Sequence, residues 1–344
     1  MTTGIYAVMH FFVDYICAWS MYFRMRTGSF AYGDFLIYNF CAFALQMPLG
    51  TLLDLTRSRA EGRIRIFLPL LWSGAGVVLT GLGAMTHPAL LGIGNALFHV
   101  GGGLDVIVED FQKGRNGKNL GLFVAPGAVG LYLGSLTGNK EFGFTSLVLP
   151  LVLLVLCVVL LGRGTRRDSD LQNFEKKETA VPYTLLLCCF AVVVIRSWTG
   201  FEASFPWKQG AVLPLIAVLA VASGKALGGF AAARFGAGRT MSVTLIAAAG
   251  CFLLGENPLF GLAALLLFNM SMPVTLYLLA RSMPRTPGFA FGLLTFGLFL
   301  GFLPVYWRIS LPLSGGVIGA LGSVISGVLM GFAWKAVKRH AVSC

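Results

Sequence analysis

The sequence predicts an all-α polytopic membrane protein of about twelve transmembrane helices, arranged as two six-helix pseudo-symmetric bundles. Composition is the first reason. Of 344 residues, 56% are hydrophobic and only 12% charged, with a mean hydropathy of +0.79. Soluble domains carry about 25% charged residues, so too few water-facing side chains are present to cover a soluble fold. A cytosolic enzyme, a secreted disulfide domain and a disordered chain are excluded together. The second reason is the spacing of apolar stretches at lengths near the ~20 residues that a span needs. The third is an internal echo at about half the chain length.

Taken in order, the first six spans are expected at 5–23, 33–53, 66–85, 89–108, 120–135 and 144–161. The second six are expected at 182–197, 209–231, 240–254, 259–280, 288–304 and 313–334. No strand-like alternation competes with them. The longest polar stretch, within residues 162–181, mixes both charge signs and contains no apolar run. It divides a first bundle (1–161) from a second (182–344) as an inter-bundle linker.

The net charge of +12 follows from basic loops rather than from nucleic-acid binding. With both termini cytoplasmic, nineteen Lys and Arg fall on the inner side and six, Arg196 among them, on the outer side; Lys225 lies within a span. The positive-inside rule therefore favours cytoplasmic termini, and a bacterial inner (plasma) membrane is the expected location. The seven cysteines lie in or beside apolar spans without metal-site or redox spacing and read as packing residues. The N-terminus lacks a basic region and carries His10 and Asp14 in its apolar run, so it reads as a retained helix.

The halves echo one another. Gly130-Leu-Tyr-Leu-Gly134 returns as Gly297-Leu-Phe-Leu-Gly301, and His87-Pro88 opens span 4 as Asn257-Pro258 opens span 10. Asn95 in span 4 matches Asn269 in span 10. Two six-helix repeats related by an axis along the membrane normal are typical of secondary transporters.

Polar groups within hydrocarbon are costly and point to function. His10 and Asp14 stand four residues apart on one face of span 1, and Asp14 lies near the midplane, roughly 14 Å from the inner edge at 1.5 Å per residue. Asn95 and His99 repeat the spacing in span 4, placing His99 at a similar depth. Asp14, His99 and His10 are therefore the candidate proton-coupling groups; the alternative is a fixed hydrogen-bonded pair between helices. Asn39, Gln46, Asn95, Asn269 and Met270 are candidates to line a substrate cavity, with Pro273 adding a helix break beside a soft methionine. The amides could equally bond between helices. Asp105, Glu109 and Asp110 read better as helix-capping or loop-pairing groups than as cavity groups.

Two loop motifs carry a family resemblance. Gly50-Thr-Leu-Leu-Asp54-Leu-Thr-Arg57-Ser-Arg59 follows span 2, and the stretch from Gly228-Gly229 through Arg234, Gly236 and Arg239 follows span 8. Both resemble the G-x-x-x-D-R-x-G-R-R loop signature of the major facilitator superfamily. The resemblance implies a gating latch built on Gly50, Asp54, Arg57, Gly229, Lys225, Arg234, Gly236 and Arg239. The first copy lacks the Arg after Asp54, and the second has Ala233 in place of the acid.

Span 5, with Gly121, Pro126 and Gly130, resembles the kinked G-x-x-x-G-P-x-x-G-G helix of proton-coupled antiporters in that superfamily, with Ala125 and Val129 replacing two glycines. Gly92-Ile-Gly94-Asn95-Ala-Leu-Phe98-His99 is similar to span 4 of the fosmidomycin-resistance branch.

The resemblance implies a monomeric secondary transporter that moves a small apolar or amphiphilic molecule by alternating access, with protons as the coupling ion and efflux by antiport as the direction. Its cavity is expected between spans 1, 4, 7 and 10, with the first half holding nearly all the buried ionisable groups. Proton-coupled uptake, lipid or lysophospholipid translocation, and a non-transporting receptor or assembly subunit stand as alternatives. No enzyme motif, phosphate-binding loop, cofactor or metal site is expected.

Overall fold

The computed structural model describes residues 2–140, 143, 145–163 and 182–343. Among these, twelve helical passes follow in order. The first six are α1 (Thr2–Arg26), α2 (Tyr32–Arg59), α3 (Gly62–Met85), α4 (Pro88–Gln112), α5 (Lys118–Gly138) and α6 (Thr145–Gly162). The second six are α7 (Tyr183–Glu202), α8 (Val212–Phe235), α9 (Ala237–Leu253), α10 (Pro258–Ser282), α11 (Pro287–Tyr306) and α12 (Gly315–Ser343). Ten are long and apolar enough to cross a membrane; α9 has 17 residues, and α1 carries the buried His10 and Asp14. Helices satisfy every backbone polar group internally, as an apolar solvent demands. The chain is an integral membrane protein. The expected linker lies, beyond residue 163, outside the described residues.

Helix starts are written in side chains. Pro88, Pro258 and Pro287 occupy first-turn positions of α4, α10 and α11, where a missing N–H costs nothing. The echoed His87 and Asn257 play the same part: each accepts a hydrogen bond from a backbone N–H two residues on, Ala89 at 3.1 Å and Leu259 at 2.9 Å. Helices overrun some expected ends, α2 to Arg59 and α12 to Ser343, because a helix continues into polar residues once it leaves hydrocarbon.

Two passes are interrupted. In α2, residues Phe40–Ala44 form a π-turn. In α10 the helix breaks at Met270, where Pro273 has no N–H to return to the Asn269 carbonyl.

Packing repeats between the halves. α1 lies on α5 and α3 on α4; correspondingly, α7 lies on α11 and α9 on α10. Glycine makes these contacts close. A Cβ at Gly130, Gly134 or Gly138 would strike the backbone of Phe11, Tyr15 or Trp19 on α1, and one at Gly301 would strike Val194 on α7. Between the halves, α2 meets α11 and α5 meets α8. Both termini share one face, called the terminal face below.

Candidate functional site

Between the halves lies a cavity of about 420 Å³, within the usual range for small-molecule sites. α1 contributes His10 and Asp14, α2 contributes Asn39, Phe43 and Gln46, and α4 contributes His99. From the second half come Arg196 and Thr199 on α7, Lys225 on α8, Asn269 and Met272 on α10, and Phe291 and Thr295 on α11. The cavity runs toward the face opposite the termini, where Phe201, Phe205 and Lys208 surround it.

Closure is seen on the terminal face. A Cβ on Gly50 would strike the Gly288 carbonyl, and one on Gly292 would strike the backbone of Gln46. Asp54 sits against the first turn of α11 and accepts hydrogen bonds from Gly288 N at 3.0 Å and Phe289 N at 2.8 Å. A carboxylate at a helix N-terminus meets free donors and the positive end of the helix dipole. Arg57 is buried nearby. Across the bundle, Gly121 abuts the carbonyls of Lys225 and Ala226, and Gly229 abuts that of Gly117.

The second loop is not a mirrored latch. Arg234 and Arg239 are exposed, and no hydrogen bond or ion pair holds them among the described residues. Gly236 terminates α8 with φ +84°. The missing acid at Ala233 explains the difference. The N-terminus of α5 is capped instead from its own bundle, by Asp110 to Gly117 N at 2.7 Å and Asn119 N at 2.8 Å. Glu109 pairs with Lys113 and accepts from Thr3 N at 2.8 Å, while Asp105 accepts from Tyr6 Oη at 2.6 Å. All three acids are structural here.

His10, Asp14 and His99 come together at the cavity wall. Asp14 stands twelve residues from either end of α1, at the middle of the helix. His10 Nε2 lies 3.1 Å from Asp14 Oδ2, His99 Nε2 lies 3.7 Å from Asp14 Oδ1, and the two Nε2 atoms are 2.9 Å apart. Asn95 donates to Asp14 Oδ1 at 3.1 Å. Each imidazole is also held by its other nitrogen, His10 Nδ1 to Phe123 O at 2.8 Å and His99 Nδ1 to Asn95 O at 2.9 Å.

Carbonyls can only accept, so both Nδ1 atoms carry protons. In neutral rings both Nε2 atoms then present lone pairs, to each other and to a carboxylate. The 2.9 Å contact requires one further proton in the group, or a small cation in its place. Among the described residues this is the one His/Asp/Glu/Cys cluster close enough to hold a metal ion, its donor atoms lying within 4.8 Å of one another.

Gly127, absent from the expected site, shapes the triad: a Cβ there would overlap His10 Nε2 and Asp14 Oδ2. It belongs to the Gly/Pro stretch of α5, which continues as one helix through Pro126.

Several expectations are corrected. Met270 does not line the cavity; its backbone packs against Gly228, and Met272 takes the lining position because the α10 break turns the chain there. Asn95 does not line it either, since its amide is turned to Asp14 and Cys17. Lys225 belongs to the cavity rather than the latch, and Arg196, counted as an outer-loop charge, is buried beside it. Buried charge is thus divided between the halves. Asn39, Gln46 and Asn269 do line the cavity, each amide donating to the carbonyl four residues back in its own helix. The Oε1 of Gln46 is left without a donor.

No family model matches the chain, and no curated protein sequence matches it. Solved structures do. A variant of the E. coli fucose:proton symporter FucP superposes with a TM-score of 0.63 at 11% identity, covering 97% of this chain and 98% of its own. FucP in an outward conformation gives 0.59 at 11%, over 95% and 98%. The human organic anion transporter MFSD10 (TETRAN) gives 0.62 at 14%, over 96% and 99%. None of these belongs to the fosmidomycin-resistance branch suggested by span 4. At such identities the likeness carries the fold, over nearly the whole length of each chain: the chain has the major facilitator fold.

Proposed function

We propose that this protein is a secondary active transporter that moves a small amphiphilic molecule by alternating access, coupled to protons at Asp14, His10 and His99. The carrying observation is the triad: three groups at the middle of their helices, bordering the cavity, whose spacing calls for one exchangeable cation. A proton is the simplest occupant, since an imidazole nitrogen both accepts and returns one. The apolar lining, with Phe43, Phe252, Phe268 and Phe291, suits an apolar cargo body.

With both termini cytoplasmic, the conformation is outward-facing: Asp54 holds the inner gate at α11, and the glycines of α5 and α8 close the other side. The two bundles, 1–161 and 182–344, would rock about the cavity. The export direction rests on the span-5 likeness alone, and one structural neighbour is by name a proton symporter.

The test is transport of a screened substrate panel in proteoliposomes, with and without a pH gradient, for wild type and Asp14→Asn. Gradient-driven accumulation in wild type, lost in the variant while downhill exchange persists, is the expected result. Accumulation that survives Asp14→Asn would refute coupling through the triad.

A further inference from the structure

Arg196 and Lys225 lie outside the His10–Asp14–His99 cluster, and no hydrogen bond or ion pair among the described residues holds either of them. Arg196 is 8% exposed, its Nε has no partner, and it lines the cavity from α7. Lys225 lines it from α8. Neither forms an ion pair among the described residues. Both line the same cavity, which Asp14 borders from the first half. Two positive charges lining one low-dielectric cavity, with no ion-pair partner among the described residues, are costly. They are retained at a site open to one face of the membrane, so the missing counter-charge is one that arrives and leaves.

We propose that the cargo is a small organic anion, its acidic head group bound between Arg196 and Lys225 and its apolar body against the phenylalanines, and that it binds together with a proton. The first part names the substrate class of the transporter proposed above; only the second rests on the proton-site reading.

The coupling sign follows from charge. A proton on the triad raises the cavity's charge by one, and the anion lowers it, so each favours the other's binding. The groups facing the triad leave that sign unchanged. Cys17 from α1, which Asn95 contacts, and Tyr38 from α2 are of residue types ordinarily uncharged near pH 7. Asn95 from α4 is uncharged, α5 contributes the Phe123 carbonyl and Gly127, and α11 lines the cavity with Phe291, Thr295, Leu298 and Phe302, none of them ionisable. Lys225 and Arg196 supply positive charge from α8 and α7. Proton and anion therefore load as a pair, which makes the transporter a symporter.

The test uses the full chain in zwitterionic nanodiscs and two matched probes, naphthalene-2-sulfonate and neutral 2-naphthol, titrated calorimetrically against empty discs. Naphthalene-2-sulfonate is expected to bind at least about tenfold more weakly to Arg196→Gln and to Lys225→Gln, and within a few-fold of wild type to Arg196→Lys and Lys225→Arg. Binding of 2-naphthol should be the same in all five proteins, which also shows that the variants are folded. Titrations in two buffers of different ionisation enthalpy should show proton uptake with the sulfonate, lost in Asp14→Asn.

Equal binding of both probes, or sulfonate binding indifferent to Arg196 and Lys225, overturns the anion assignment. Gradient-driven flux of a neutral cargo in proteoliposomes would at the same time leave the transporter reading intact. Proton release on sulfonate binding overturns the coupling sign and points to antiport.

Discussion

The contact of Asp54 with α11 gives the most direct handle on the conformational cycle. Its carboxylate receives two backbone N–H groups at the start of a helix, Gly288 at 3.0 Å and Phe289 at 2.8 Å. Hydrogen bonds to a charged group contribute about 1.5–3 kcal/mol each, and the helix dipole adds about 0.3–1 kcal/mol. Both exist only while the terminal face is closed. Asp54→Asn retains one oxygen acceptor and loses the charge, so the closed state should lose about 2 kcal/mol. At 1.4 kcal/mol per decade this shifts the equilibrium roughly 30-fold. Asp54→Ala loses both bonds, about 4 kcal/mol, and should shift it several hundred-fold.

Spin labels replacing the exposed Arg63 on α3 and Arg239 on α9 report on the two bundles at this face. Double electron–electron resonance would read their separation in lipid, in a background with Cys251 and Cys344 changed to serine. The expected result is a graded gain of the longer distance, Ala exceeding Asn exceeding wild type. An unchanged distribution in Asp54→Ala would show that the glycine contacts alone hold the gate and that the capping argument is wrong.

Further outcomes follow from the packing. Gly127→Ala should displace His10 and Asp14, cost about 1–3 kcal/mol by overpacking and uncouple transport from the pH gradient; an unaltered gradient-driven rate would count against the triad geometry. Gly301→Val should loosen α11 from α7 and lower the thermal midpoint in detergent more than Gly331→Val, because Gly331 has no neighbour where its Cβ would lie. Asn257→Ala should cost about 1 kcal/mol by removing the cap of α10, measurable as a fall in thermal stability without loss of probe binding.

The twelve passes were readable because a bilayer imposes one length and one polarity on every crossing, and each expected stretch lies largely within one observed helix. The echoed pairs His87-Pro88 and Asn257-Pro258 were readable for a local reason: a cap and a proline act over two or three residues, so the chain itself contains the interaction. Asp14 and His99 could be paired by depth, since rise per residue is fixed. What depth cannot give is azimuth. Asn95 and Met270 lie at the right height but turn away from the cavity, the first drawn to Asp14, the second rotated by the break that Pro273 imposes. Arg196 sits only two turns from the end of α7, where a positive charge in sequence reads as a loop residue. Its burial depends on the helices that pack against α7, chiefly α11 and α12, which a single span does not encode. Gly127 was hidden for the opposite reason, since its importance lies in an atom it lacks.

The π-turn at Phe40–Ala44 divides α2 into two mechanical parts. On one side, toward the far face, Tyr32, Phe35 and Phe40 lie against Tyr306, Phe302 and Phe299 of α11, ring against ring. On the other, Gln46 and Gly50 meet the same helix backbone to backbone, and Asp54 holds its first turn through the carboxylate. Aromatic faces slide and swing at small cost, whereas interlocked main chains hold or let go. The loosened turn acts as a knee between them, set level with Asn39 and Phe43 in the cavity wall. Bending at this turn would let the outer segment swing across the cavity mouth while the inner segment keeps its hold on α11.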